Sequence, residues 1–399
     1  MASIILKPAM GYNEKLKLMN ASAKYDVSDR EADSYIFSCL PDVENIKAPT
    51  SPPKVPKLFM SNNCTFNCAY CGCRCSNDIT KRYVVPPGEL ADIAVREAKN
   101  NGHGIFITSA IYKNSDYTVE LIIETLRLIR KIHRYTGYVH AKIMPGTDFQ
   151  LIDEAGLLAD RLSVNIELPK SDGYALIAKQ KNKKNILTPI SYMSYCIKQS
   201  ENEMSVYGQK FARSGITTQM MVGTMNETDR TILILSEALY RKYNLRRIYY
   251  SAFHPVQECE YLPSEPTPQW RTRRLYQADR LLQLYGFQSS DLFPESYPNL
   301  DFDIDPKAAW ALRNLHLFPV EVNTADYEML IRIPGIGITY AKKILKARKT
   351  HRLTHDLLLK MHVSTKRAQY FITCDGKYTG GNFLGNPQLR KKLSDQKDV

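Results

Sequence analysis

The chain has 399 residues, enough for two or three domains or for one barrel with an appendage. Hydrophobic residues are 44% and charged residues 24%, an ordinary globular balance, and no run of about 18 apolar residues offers a membrane span. Formal net charge is +13, and residues 306–399 hold 17 Lys and Arg against 7 Asp and Glu. Most of the excess thus sits in less than a quarter of the chain, which points to a polyanion, with nucleic acid first.

In chain order, the opening "MASIILKPAMGYNEKLKLMN" has a short apolar patch but no long hydrophobic region and no small-residue cleavage site. No signal peptide is expected, and the reading is cytoplasmic, where clustered thiols mean metal or redox chemistry. Residues 1–54 read as an N-terminal extension. A Pro-rich connector, "IKAPTSPPKVPK" (46–57), leads into the first β-rich run. Six such runs follow: 57–61, 104–110, 138–144, 161–168, 217–223 and 246–253. Stretches of helical period, such as 117–133 and 229–243, lie between most of them. Strand–helix alternation predicts a parallel sheet, here an α/β core over 55–260 built as a partial (βα)6 barrel. Chemistry in such barrels gathers at the carboxyl ends of the strands. A second Pro-rich stretch, 261–270, opens a basic helical connector (261–305), and a helical segment begins near Pro306 and runs to 399.

Five of the nine cysteines fall within "NNCTFNCAYCGCRCSND" (62–78), just after the first predicted strand. Cys64, Cys68 and Cys71 have the spacing C-x3-C-x2-C. Three thiolates on one loop can hold three irons of a [4Fe–4S] cluster and leave the fourth open. The open iron can chelate the amino and carboxylate groups of S-adenosyl-L-methionine, whose reductive cleavage yields a 5′-deoxyadenosyl radical. A zinc site is the competing reading, because four of the five thiols could form a tetrahedral set. Zinc ribbons use two separated C-x2-C knuckles, however, and no second knuckle exists. Cys39, Cys196, Cys259 and Cys374 are scattered and read as buried structural thiols. Cys73 and Cys75 are left as bystanders, a redox pair or an alternative ligand.

With Tyr70 before the third thiol, the loop resembles the C-x3-C-x-aromatic-C signature of the radical S-adenosylmethionine superfamily. That resemblance implies further cofactor contacts. "TTQMMVGTMNETD" (217–229) is similar to the superfamily's fifth-strand motif, with Gly223 where the backbone approaches adenine and Glu227 four residues on. The competing reading is a plain strand–helix turn with Glu227 in the first helical turn. "VNIELP" puts Asn165 and Glu167 on one side of the fourth strand by period two, as contacts for the ribose or methionyl groups. The Gly-Gly-Glu element after the second strand is absent. Thr108 or Ser109 of "ITSA" stands there to bond the methionyl amine.

"MLIRIPGIGITYAKKIL" (329–345) has the helix-hairpin-helix form, with a second helix beginning near Thr339. Gly335 and Gly337 make a tight hairpin whose amides can hold a phosphate oxygen without reading a base, with Lys342 and Lys343 in the next turns. A non-binding hairpin used for protein contacts is the alternative. A weaker echo lays 335–341 over 362–368, with both glycines missing.

Nearly end to end, the chain resembles the DNA modification/repair radical S-adenosylmethionine family. The likeness rests on "AKYDVS" (23–28), "CAYCGCRCSND" (68–78), "DRLSVNIELP" (160–169), "YYSAF" (249–253), "RLYQAD" (274–279) and "FPVEVNTADYEMLIRIPGIG" (318–337). Cys73 and Cys75 depart from it, and the segment between Ser28 and Cys64 is shortened. The resemblance implies a partial barrel joined to a helix-hairpin-helix module, a [4Fe–4S] cluster, S-adenosyl-L-methionine, duplex DNA held by its backbone, and a reductant such as flavodoxin or ferredoxin. It supplies no reaction. An RNA-modifying radical enzyme and a DNA-binding iron–sulfur redox sensor are the alternatives.

Overall fold

The computed structural model describes residues 4–5, 11–23, 55–78, 81–101, 104–202, 210–363 and 365–394. The "AKYDVS" stretch beyond Ala23, most of the Pro-rich 46–57 connector, and Cys39 lie outside the described residues. Two compact units are present. One takes the described residues up to Glu227 together with Ala238–Thr267, and the other takes Thr228–Glu237 and everything from Pro268 on.

The first unit is built on six parallel strands: β1 (Lys57–Phe59), β2 (Ile105–Thr108), β3 (Val139–Lys142), β4 (Arg161–Ser163), β5 (Ile216–Val222) and β6 (Arg247–Ala252). They pair in sequence order, so the sheet is an open half-barrel with β1 and β6 at its edges. Each coincides with one of the six predicted runs, β5 starting one residue before its run of 217–223. The crossovers carry helices α1 (Pro87–Asn101), α2 (Ser115–Arg127), α3 (Phe149–Leu158) and α4 (Lys183–Asn202). Helix α5 (Asp229–Tyr243) follows β5. Local caps start these helices where polar residues interrupt the apolar pattern. Asn114 accepts the Tyr117 amide at 2.8 Å, and Asp148 accepts that of Gln150 at 2.8 Å.

Residues in register on parallel strands point to the same side. Leu58, Ile107, Ala141, Leu162 and Ile216 form one such row, fully buried. Burying each Leu or Ile there is worth roughly 1.5–3 kcal/mol. Helices α1, α3 and α4 lie against β2, β4 and β5. The opposite row runs Lys142, Ser163, Thr217, Arg247 and is polar throughout. The half-barrel therefore has an apolar side under its helices and a largely polar inner side, on which Phe59, Phe106 and Met221 are the apolar members.

The fourth strand is shorter than its eight-residue sequence pattern. Ser163 is in register with Thr217, but Glu167 pairs with Met220, so β4 carries one extra residue. The Thr218 hydroxyl donates to the Val164 carbonyl at 2.7 Å and accepts the Ile166 amide at 3.0 Å, in place of ladder bonds. Glu167 then takes a φ of +66°. Strict alternation stops at Ser163, and the expectation that Asn165 and Glu167 share one face of a regular strand is corrected accordingly.

In the second unit, α6 (Gln269–Leu284) is followed by α7 (Pro306–Arg313), α8 (Tyr327–Arg332), α9 (Ile338–Ala347), α10 (His355–Lys360) and α11 (Thr365–Ala368). A small sheet of Val320–Glu321, Ile372–Cys374 and Lys377–Tyr378 ties its ends. The stretch from Pro268 belongs to this unit for a visible reason. Arg274 is 1% exposed and donates to the carbonyls of Asp301 at 3.2 Å and Phe302 at 2.9 Å. Arg271 pairs with Asp229 at 2.7 Å. At least these two arginines of the basic helix are thus spent inside the unit. Among the described residues, no helix is long and apolar enough to cross a membrane.

Candidate thiol centre and hairpin module

The cysteine loop leaves the carboxyl end of β1. Ser61 closes it below by donating to the Tyr83 carbonyl at 2.9 Å. Asn62 accepts the Tyr83 amide at 2.9 Å and donates to the Lys81 carbonyl at 2.9 Å. The main tie is Arg82. Its guanidinium donates to four loop carbonyls: Asn62 at 2.6 Å, Cys73 at 2.8 Å, Arg74 at 2.5 Å and Asn77 at 2.8 Å. A planar fork suits this task better than an ammonium would. The Asn77 amide donates to the Gly72 carbonyl at 2.7 Å, and the Ser76 hydroxyl to Asn67 at 2.6 Å.

Cys68 is buried, and Cys64 and Cys71 are partly so. Burial pushes the Cys64 thiol up and that of Cys68 up to about 11, against the pull of Lys181. Cys71 is held below its ordinary value, first by a hydrogen bond from the Cys73 thiol, and Cys73 is pushed up by the same bond. Cys64 feels the charge of Cys71, and Cys68 feels the charges of Cys71 and Cys64. Of these soft donors on one loop, Cys64 and Cys68 are kept protonated by burial and need a cation to become thiolates, and a multinuclear iron centre supplies one. The donor set therefore fits a three-thiolate cluster. Among the described residues, no group of three or more His, Cys, Asp or Glu closes round a single metal ion. Cys73 is buried against Phe59 and Ala110, with Cys64 and Cys71 packed on that cluster, while Cys75 is exposed. Of the remaining described thiols, Cys374 is buried as expected. Cys196 and Cys259 are only half-buried, and Cys196 meets Asp153 at 3.7 Å.

The most informative group beside the thiols is one the sequence did not single out. Lys181 donates to Glu167 at 2.8 Å and to the Tyr70 hydroxyl at 3.4 Å. Burial works against its charge, but Glu167 and then Cys68 outweigh it, and the ammonium is held above its ordinary value. Tyr70 is buried, and burial raises its phenol well above the usual range. Tyr70, Glu167 and the cluster cysteines thus converge on one cation. Sequence showed Lys181 only as one of several lysines in "AKQKNKKN".

The other expected cofactor contacts are placed as follows. Asn165 is buried at 7% exposure, and no other described side chain or backbone group bonds its amide. Thr108 is fully buried at the end of β2, and the Ser109 hydroxyl donates to the Ala110 carbonyl at 2.7 Å. Gly223 has a φ of +88°, and a Cβ there would stand 1.9 Å from the Thr267 hydroxyl. That turn thus needs glycine for the chain's own packing. Glu227 accepts the amides of Gly223 and Met225, the latter at 2.9 Å, so it holds the turn between β5 and α5.

In the second unit, α8 is capped by Asp326, which accepts the Met329 amide at 2.7 Å. The hairpin turns through Gly335 at φ +89°, where a Cβ would meet the Ala368 amide at 2.9 Å. Gly337 caps α9 at φ −94°, ψ 177°, a conformation open to any residue. Only Gly335 therefore has a backbone need for glycine. Thr339 and Lys342 are exposed, Lys343 is half-buried over the Tyr340 ring, and Lys346 and Lys349 extend the exposed cations of α9. The echo has structural substance. His362, laid over Gly335, has a φ of +56°, and Val363 and Ala368 are buried as Ile336 and Ala341 are.

The helix-hairpin-helix motif matches residues 319–358. No curated protein matches the chain. Among solved structures, similarity is found to the FeFe-hydrogenase maturase HydG from Carboxydothermus hydrogenoformans. Identity there is 13% and the TM-score 0.42, over 69% of this chain and 60% of that one. It is found also to TsrM, a radical S-adenosylmethionine methyltransferase from Kitasatospora setae with cobalamin and a [4Fe–4S] cluster bound. That match has 11% identity and a TM-score of 0.36, over 50% of this chain and 37% of that one. The cobalamin-dependent S-adenosylmethionine radical enzyme OxsB matches at 13% identity and a TM-score of 0.33, over 79% and 48%. The chain spans less than two thirds of the length of each of these. By its own topology it is a six-stranded parallel half-barrel with a thiol loop at its carboxyl edge and a helix-hairpin-helix motif near its C-terminus.

Proposed function

We propose that the chain is a radical S-adenosylmethionine enzyme that acts on DNA. Cys64, Cys68 and Cys71 would hold a [4Fe–4S] cluster with one open iron. When bound, that cluster supplies the electron that cleaves S-adenosyl-L-methionine, and the product radical abstracts hydrogen from a base or a base modification. Tyr70, Asn165, Glu167 and Lys181 would border the cofactor, with Thr108, Ser109 and Gly223 on the strand ends. The hairpin at Gly335 and Gly337, with Thr339, Lys342 and Lys343, would hold duplex phosphates and bring the base to the barrel. A base inside a duplex has to leave the stack to be reached, at a cost of a few kcal/mol. The thymine methyl, or a group already installed on it, suits hydrogen abstraction, in a modification or in the reversal of a lesion. A flavodoxin or ferredoxin would supply the electron.

One observation carries this reading. Three buried or half-buried thiols at C-x3-C-x2-C spacing stand at the carboxyl edge of a parallel half-barrel, in a chain that also holds a helix-hairpin-helix motif with exposed lysines. The test is mass spectrometry of nucleosides from the DNA of cells with and without the protein. It is paired with release of 5′-deoxyadenosine by the anaerobically reconstituted protein. A changed nucleoside supports the reading. Identical nucleosides together with no 5′-deoxyadenosine refute it.

A further inference from the structure

The polar inner side of the half-barrel has work that no thiol explains. Register puts Lys142, Thr217 and Arg247 in one row of that side, with Gln219 and Tyr249 in the next and Ser251 beyond. Thr217 is 1% exposed and Tyr249 4%. Neither hydroxyl has a hydrogen-bond partner among the described residues. Hydroxyls buried without partners are costly to a fold and persist where something else meets them. Both stand on β5 and β6, at the sheet edge opposite the β1 thiol loop.

The chemistry of that side narrows what it can meet. None of its strand positions carries a carboxylate. Lys142 and Arg247 can only donate, and Thr217 and Tyr249 each have a proton to give. A face rich in donors and lacking anions suits a ligand rich in acceptors. We infer that the Thr217 and Tyr249 hydroxyls recognise the ring carbonyls of an oxo-bearing nucleobase, of which thymine is the one among the four DNA bases that has two. This rests on the DNA reading above and names the part of the barrel that reads the substrate. Adenine, which has no ring carbonyl, makes the natural control.

The experiment uses the full chain and free deoxynucleosides, which have no phosphate for the hairpin to hold. Thymidine and deoxyadenosine binding is measured by ligand-observed NMR for the wild type, Thr217→Val and Tyr249→Phe. Each variant should weaken thymidine by roughly 2- to 13-fold, the span of one neutral hydrogen bond. Deoxyadenosine should change by less than about twofold, and the melting temperature should not fall, because neither hydroxyl loses a partner within the protein. Unchanged thymidine affinity in both variants overturns the inference, as does a wild type that binds no thymidine. A loss of S-adenosylmethionine affinity equal to the loss for thymidine also overturns it, by assigning the hydroxyls to the cofactor. Hydroxyl-dependent thymidine binding by a protein that releases no 5′-deoxyadenosine would uphold the inference and refute the radical reading.

Discussion

Replacing Lys181 with Met tests whether the thiol centre is organised round one cation. The Lys181 and Glu167 side chains are 10% and 12% exposed and 2.8 Å apart. Removing the ammonium leaves the Glu167 carboxylate nearly buried without its counter-charge, which costs about 3–5 kcal/mol for such a pair. The same ammonium lowers the pKa of Cys64, Cys68 and Cys71, so all three should become less acidic in the variant. Urea unfolding of the metal-free protein, run for Lys181→Met, Glu167→Gln and the double variant, reads the first effect. The double variant should lose much less than the sum of the singles, because it leaves no buried charge. Alkylation of the loop thiols at neutral pH should slow in Lys181→Met. Lys181 has a raised folded value, so its contribution is complete below 10.5 and lost only as pH rises through the folded value. It should add no slope across the neutral range. A single-variant cost under about 1 kcal/mol, or strict additivity, would show that the pair is no more than a solvated surface contact.

Arg82→Met removes the donor to four loop carbonyls, so iron bound after reconstitution should fall well below that of Arg82→Lys, read by iron and sulfide analysis. Gly335→Ala should destabilise the C-terminal unit by about 1 kcal/mol or more, since φ is +89° and the added Cβ meets backbone at 2.9 Å. Gly337→Ala should cost less, and equal losses in thermal unfolding would contradict the conformational argument. Lys342→Glu with Lys346→Glu should weaken duplex DNA, with a log–log salt slope shallower by about 2 in fluorescence anisotropy. Burial works to raise the Glu321 carboxyl, but the amides of Gly376, Asn323 and Asp375 and the Asn323 side chain hold it at about 2. Its contribution is complete above 4.5 and lost as pH falls toward about 2, so Glu321→Gln should flatten acid unfolding there.

The six strands and the hairpin were legible because each is a local pattern. Strand runs alternate with helical period, and the thiols and glycines sit at fixed short spacings. The groups around the thiols were less legible, for reasons that differ from residue to residue. Lys181 lies 110 residues beyond Cys71, in a run whose Lys179, Lys183 and Lys184 are exposed. Nothing local marks the one that turns inward. Arg82 shares this fate in "TKRYVV", because its four partners are carbonyls and carbonyls have no sequence signature. Glu167 was found for its residue type but misread for its geometry, since a bulge set by the Thr218 hydroxyl on the next strand decides where it points.

The same contrast bears on what the two units contribute. At the hairpin the structure exposes Lys342 and Lys346 and half-buries Lys343, and a phosphate grip asks for little more than charge and a free amide. The barrel asks for more. It needs burial to keep Cys64 and Cys68 neutral and a neighbouring cation to bias them, and its inner side needs hydroxyls left without partners among the described residues. Both needs oppose stability, one by about the cost of a broken buried pair and the other by an unmade hydrogen bond. A chain selected only to fold would fill Thr217 with Val and Tyr249 with Phe. That these two positions keep unpartnered hydroxyls on the side of the sheet that also carries Lys142 and Arg247 is the reason to look for the base-reading contacts there, and not at the hairpin.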